Sequence, residues 1–345
     1  NLTKTVIYIL ILLSSSSTDC TIQRTTMTFT AKKPAQKIEE TILNDFMNLL
    51  DSGKLDQVWK KEWKSTEVVG HQNFLTNHAY SGANPIILDM YSFSYGHSLP
   101  LWCGYAQAKK ENFIVKKGSK AAKILRPNPI KIDLKNEDGS PKLDKEGNQE
   151  FYMKLTFKGT SIFNISDLVG KDEKAQKRLD QIISSFKSDC EKKVRPLDQR
   201  VKAAHDRLMI SCKDLKNGLK YGGDQPYYNS QNDYVMMPER STFVDDQAFL
   251  STLSHELCHS SGHKDRLNRK WLNEYSKYRP QEEICVEFAS VLISKRLQIS
   301  CNTQNHAAYI SSWAKHIKNA KSPAQELMKV FSNSVKAADY VIGEE

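Results

Sequence analysis

The chain has 345 residues, 39% apolar and 26% charged, a composition of ordinary globular proteins and a length sufficient for two domains. A formal net charge of +10 favours acidic partners, either nucleic acid or an anionic surface. Seven scattered cysteines, odd in number and without a CxxC pair, argue against a disulfide framework and for a reducing compartment.

In chain order, Val6–Leu13 is an apolar run too short to cross a bilayer and preceded by a single lysine. A secretory signal is therefore the weaker reading. Met27 opens a polar stretch suited to a cytoplasmic N-terminus, so residues 1–30 are expected to be an unstructured or non-native extension, with 1–26 as upstream sequence. Ile38–Leu50 has the apolar spacing of an amphipathic helix and ends at Asp51-Ser52-Gly53. Trp59 and Trp63 follow among lysines, then a helix-like Pro85–Met90. Phe113–Val115 predicts a strand, with a turn at Lys117-Gly118. Turn-forming residues over Asn136–Asn148 separate two further strands, Ile130–Leu134 and Phe151–Phe157. Ala31–Ser166 thus reads as a small α+β domain, here bounded at 31–170. A charged helical linker is expected over 171–195, broken at Pro196, and a mainly helical second domain over 196–345.

Lys109–Arg126 holds seven basic residues and one acidic residue. Lys109, Lys110, Lys116, Lys117, Lys120, Lys123 and Arg126 are candidates to track phosphates, and Trp102 and Tyr105 to stack bases. A solvated charged face with its aromatics in the core is the competing reading.

The strongest signal is His255-Glu256-Leu257-Cys258-His259. Residues four apart share a helical face, so both imidazoles can reach one ion with Glu256 beside it. Asp245 or Asp246 can cap this helix and Gly262 can end it. A third ligand is expected from the nearly all-apolar segment around Ile284–Ile293, where a buried carboxylate needs a cation or donors. Glu283 is the preferred ligand, Glu287 a hydrogen-bond acceptor for a ligating imidazole, and Glu282 a solvent-facing neighbour. Two imidazoles and one carboxylate fit Zn2+ with an open position, and other divalent metals, including non-haem iron, share the same donors. Glu256 within the motif favours hydrolysis, with this carboxylate as general base. Tyr227, Tyr228 and Asp233 are candidates to line the cleft, and His263 to cap the helix end.

These residues resemble the antirestriction ArdC-like proteins of plasmids and phages, from roughly Glu39 to the C-terminus. The matching runs are HELCHSSGHKDRLNR (His255–Arg269), EEICVEFASVLI (Glu282–Ile293), AAYISSWAKHI (Ala307–Ile317) and KAADYVIG (Lys336–Gly343). In the first half, AYSGANPIILDM (Ala79–Met90), LWCGYAQAKKENFIVKKGSKAAKIL (Leu101–Leu125) and SIFNISD (Ser161–Asp167) are similar to its N-terminal domain. The resemblance implies a single-stranded DNA-binding domain followed by a zincin-like metallopeptidase domain. It implies His255, His259 and Glu283 as ligands and Glu256 as base. It implies single-stranded DNA as partner, a protein substrate in addition, no membrane, and a host cytoplasm. Glu111-Asn112 stands where the family usually has glycines, which puts a phosphate contact there in doubt. Two other readings stay open: a metallopeptidase whose basic domain recruits a protein or polyanion, and a DNA-binding protein with an inactive zincin domain.

Overall fold

Ile42, Phe46 and Leu49 recur along one helical face, and in the computed structural model they are buried on helix α1 (Pro34–Asp51). The structure describes residues 34–52, 70–300 and 320–343, together with Trp313 and Ile317. The N-terminal extension, Trp59, Trp63 and most of the run 307–317 lie outside the described residues.

The chain is α+β. Its first half forms a mixed five-stranded sheet in the order β2-β1-β3-β6-β5. The strands are β1 (Gln72–Asn73), β2 (His78–Ala79), β3 (Leu101–Gly104), β5 (Ala122–Asp133) and β6 (Phe151–Asn164). Helix α2 (Asn84–Tyr95) starts on Pro85 and ends at Gly96, whose φ of 72° a side chain would resist. A short helix α3 (Tyr105–Lys110) leads into β4 (Phe113–Val115), which pairs with β7 (Leu168–Gly170). β5 and β6 are longer than the strands expected at 130–134 and 151–157. Basic residues at 123 and 126 flank Ile124 and Leu125, which are buried, so a segment that reads as charged is half core.

Helix α4 (Glu173–Lys193) occupies the expected linker, with Asp172 accepting a hydrogen bond from the Ala175 N–H at 2.8 Å. Its stripe of Leu179, Ile182, Ile183 and Phe186 sits on a small core with Phe74, Leu101, Cys103 and Phe113. The second half carries α5 (Leu197–Ser211), then β8 (Leu219–Tyr221), β9 (Tyr227–Asn229) and β10 (Tyr234–Met237) in the order β8-β10-β9. Helices α6 (Asp246–Ser261), α7 (Lys270–Asn273), α8 (Tyr275–Leu297, kinked at Tyr278) and α9 (Pro323–Ile342) follow. The larger core crosses the sequence midpoint: Phe46 of α1 meets Trp313 and Phe331 edge-on at 5.7 and 5.9 Å. Among the described residues no helix is long and apolar enough to cross a membrane.

Candidate functional site

Asp245 opens α6 by accepting from the Ala248 N–H at 2.7 Å, and Phe249, Leu250, Leu253 and Leu257 bury one side of it. The opposite side presents His255 and His259, one turn apart. α8 crosses against α6 and brings Glu283 to both rings: Glu283 Oε2 lies 3.9 Å from His255 Nε2 and 3.8 Å from His259 Nε2. A tetrahedral ion with bonds of about 2.0–2.1 Å holds its ligand atoms roughly 3.4 Å apart. The three donors are therefore within a small side-chain adjustment of enclosing one, and they form a metal-competent group among the described residues.

The outer partners fix which atoms face the centre. His259 Nδ1 is 3.2 Å from Glu282 Oε1, and His255 Nδ1 is 3.8 Å from Glu287 Oε1, so each ring turns Nε2 inward. The Tyr275 hydroxyl donates to Glu283 Oε1, leaving Oε2 for the imidazoles. Four carboxylates, those of Glu256, Glu282, Glu283 and Glu287, thus stand within a buried region that holds one guanidinium, Arg269. That surplus of negative charge demands a cation. The same demand appears in His259: burial alone would lower its pKa, but the Glu282 hydrogen bond and the charges of Glu283 and Glu256 raise it to about 9.

Glu282 departs from the expected solvent-facing position. It is fully buried and receives Arg269 Nε at 2.8 Å and Nη2 at 2.6 Å, while Arg269 also donates to the Cys258 carbonyl and Ser261 Oγ. Burial would raise the Glu282 pKa, and Arg269 and His259 outweigh it, bringing it to about 2. The reason lies in α8 itself: Ile284–Ile293 is buried throughout and apolar but for Glu287 and Ser290, so from Gln281 onward the helix is enclosed all round and has no water-facing side. Gly262 makes the ion pair possible, since a Cβ there would sit 2.7 Å from Arg269 Nη2. Arg269 and Tyr275 are the site residues that sequence reasoning passed over. The matching run His255–Arg269 contained the first, and nothing local marked the second.

A cleft of about 570 Å³ opens over this centre, bordered by Tyr227, Tyr228, His255, Glu256, Tyr275 and Arg279 among others. Tyr227 and Tyr228 line it as expected; Asp233 does not. Asp233 is buried behind, accepting from the Tyr228 hydroxyl at 2.7 Å, from the Lys216 N–H at 3.0 Å and from Arg266. This network ties the β9–β10 hairpin to the segment after α6. His263 lies just past the helix end, its N–H on the Ser260 carbonyl at 3.0 Å. A divalent ion bound at the three donors would make a coordinated water acidic. Glu256, buried at the cleft wall, offers a carboxylate that could take a proton from such a water.

In the first half, Lys109, Lys110, Lys116, Lys117, Lys120 and Arg126 are exposed, and Lys123 is partly so. Lys116 donates to the Ser166 carbonyl and Lys123 to Ser161 Oγ, both at 2.8 Å. Tyr105 is 60% exposed and available for stacking. Trp102 is not. It is completely buried, with Nε1 donating to His71 Nδ1 at 2.9 Å, because alternation along β3 turns it into the large core. The expectation that Trp102 stacks bases is therefore corrected. Glu111, the residue set against a phosphate contact, is paired with Arg178 of α4. Asn112 adopts φ 59°, the left-handed conformation that explains a glycine at such a place and that asparagine tolerates.

Comparison with known proteins follows this division. Residues 35–163 match the family described as the N-terminal domain of anti-restriction factor ArdC, and residues 207–326 match a zincin-like metallopeptidase family. The chain is 25% identical over 330 residues to the DNA primase TraC of Escherichia coli, covering 91% of this chain and 20% of that protein. It thus spans about a fifth of that relative's length. It is 24% identical over 310 residues to the uncharacterized protein y4eC of Sinorhizobium fredii, covering 89% of this chain and 92% of that one. Two crystal structures of the antirestriction ArdC protein from the R388 plasmid share the fold. The metal-free form has TM-score 0.61 at 22% identity, covering 89% of this chain and 96% of that chain. The Mn(II)-bound form has TM-score 0.59 at 21% identity, covering 88% and 96%.

Proposed function

We propose, from the premise that the chain is an ArdC-like antirestriction protein, with an ArdC N-terminal domain followed by a zincin-like metallopeptidase domain, that it binds single-stranded DNA of a plasmid or phage in the host cytoplasm and hydrolyses a protein substrate with a zinc ion. The observation that carries the enzymatic half is the convergence of His255 Nε2, His259 Nε2 and Glu283 Oε2 beside Glu256 at the floor of an open cleft. An intact general base is what an inactive zincin domain would have no need to keep. The DNA half is supported by the exposed basic segment Lys109–Arg126, with Tyr105 beside it, inside the domain matched to ArdC.

The test separates binding of the ion from use of it. Purified chain is expected to carry about one divalent ion, and His255→Ala or His259→Ala to lose it, since two remaining protein ligands rarely hold zinc. Glu256→Gln is expected to keep the ion while peptide release from an unfolded protein, assayed with single-stranded DNA present, falls by roughly 100-fold or more. Full metal occupancy in His255→Ala would remove the site assignment. Hydrolysis at an undiminished rate in Glu256→Gln would remove the catalytic one.

A further inference from the structure

β5 and β6 leave the five-stranded sheet as a two-stranded ribbon. β3 pairs with β6 only over Ile162–Asn164, and α1 meets β6 at Gly159, where a Cβ would overlap Ile38. Beyond that point, from Arg126 round the tip to Lys158, no residue with a described side chain is buried. The pairing runs without a bulge from Ala122 opposite Ile162 to Asp133 opposite Phe151. A ribbon of this kind is marginal in water on its own, yet this one exposes Phe151, Tyr152, Met153 and Phe157 by 43–57% each. Such a concentration of exposed apolar side chains marks a contact surface.

Charge says what the surface contacts. The paired stem, 126–133 and 151–158, contains Arg126, Lys131, Lys154 and Lys158 against one acid, Asp133, which lies 3.5 Å from Lys131, whereas the tip, 134–150, holds five acids and three lysines. Arg126 stands directly opposite Lys158. Two like charges face to face disfavour the ribbon unless an anion lies across them. Lys131 Nζ lies 4.3 Å from the centre of the Phe151 ring, so cation and aromatic face already alternate along the stem. Six of the residues concerned, Phe151, Tyr152, Met153, Lys154, Phe157 and Lys158, lie on β6, whose outer edge over 151–158 has no strand partner among the described residues.

We propose that this ribbon is a nucleic-acid arm. A single strand runs along the outer edge of β6, its phosphates against Arg126, Lys154 and Lys158 on one face of the ribbon and its bases stacked on Phe151 and Phe157 on the other. Stacking needs open base faces, which a duplex hides, and it is indifferent to sequence. The inference rests on the DNA reading above and carries the contact past the Lys109–Arg126 segment onto residues outside it.

The experiment uses the full chain and a fluorescein-labelled oligodeoxythymidylate, with affinity read by anisotropy across a salt series. Phe151→Thr and Phe157→Thr are combined in one variant, because threonine keeps strand propensity and neither ring is buried. That variant is expected to bind about tenfold more weakly or worse, with an unchanged salt slope. Combining Lys154→Gln with Lys158→Gln is expected to flatten the log–log slope by about 1.4. Wild-type affinity in the ring variant overturns the arm and leaves the DNA reading standing. Wild-type protein with no salt-sensitive binding overturns both. A ring variant that binds DNA normally but sediments as a smaller species than wild type assigns the rings to a second copy of the chain, and also overturns the arm.

Discussion

Glu282 and Glu283 differ by one position on α8, and the turn of about 100° between them sends one carboxylate to Arg269 and the other to the imidazoles. Their removal should therefore fail in different ways. Glu283→Ala takes away one of the three donors of the proposed metal site, so metal affinity is expected to collapse while the metal-free protein melts near its usual temperature. Glu282→Ala leaves Arg269 buried without its partner and should destabilise the protein by about 3–5 kcal/mol. Metal affinity should fall by only roughly 10- to 100-fold, through the loosened His259 ring. Thermal melts with and without chelator, set beside metal titrations, separate the two. Equal melting temperatures for the two metal-free variants would mean that the Arg269 pair contributes nothing. In the sequence these residues are a doublet, and only the path of Arg269 under Gly262 tells them apart.

At the scale of elements, β3 and α3 show where a local pattern ends its authority. Trp102 and Tyr105 are three residues apart beside the same basic segment. The strand turns the first into the core, and the helix start leaves the second in solvent. Tyr105→Ala is expected to weaken binding of a single-stranded oligonucleotide by about 1–3 kcal/mol with little change in salt dependence. Trp102→Phe should leave that affinity unchanged and instead lower stability by about 1–3 kcal/mol, because His71 loses a buried hydrogen-bond donor. Anisotropy and denaturant unfolding of the two proteins decide it, and reversed phenotypes would return Trp102 to the interface. The contrast with α6 is instructive. There the cap, the apolar stripe and the His spacing all sit on one continuous helix, so the sequence alone places the side chains.

Across the whole molecule, the two halves are joined by more than α1. Lys295, near the end of α8, reaches Asp89 of α2 at 2.7 Å, and Asp89 accepts from His71 at 3.1 Å, behind which stands Trp102. Burial would raise the Asp89 pKa, but Lys295 and His71 bring it to about 2. A carboxyl group depressed on folding stabilises fully above its unfolded pKa near 3.8 and loses that contribution as pH falls through its folded value. Stability of the metal-free protein is therefore expected to decline between pH 4 and 2, joined by Glu282 over pH 4.5 to 2. Asp89→Asn should be less stable at pH 7 and show a shallower decline. Unfolding curves at stepped pH test this, and an identical decline in the variant would show that the link between the halves is not ionic. The sequence by itself determined the helix carrying His255 and His259, the glutamate-bearing helix opposite it and the basic segment. Each of these is written in local spacing, within a few helical turns or one run of charge. Tertiary structure alone decided that Glu282 is buried on Arg269, that Trp102 belongs to the core, that one hydrophobic core runs through both halves, and that β5 and β6 extend as an exposed ribbon. Those outcomes depend on which faces meet across long separations in the chain, and a helix or strand carries no record of its neighbour's position until the two are packed.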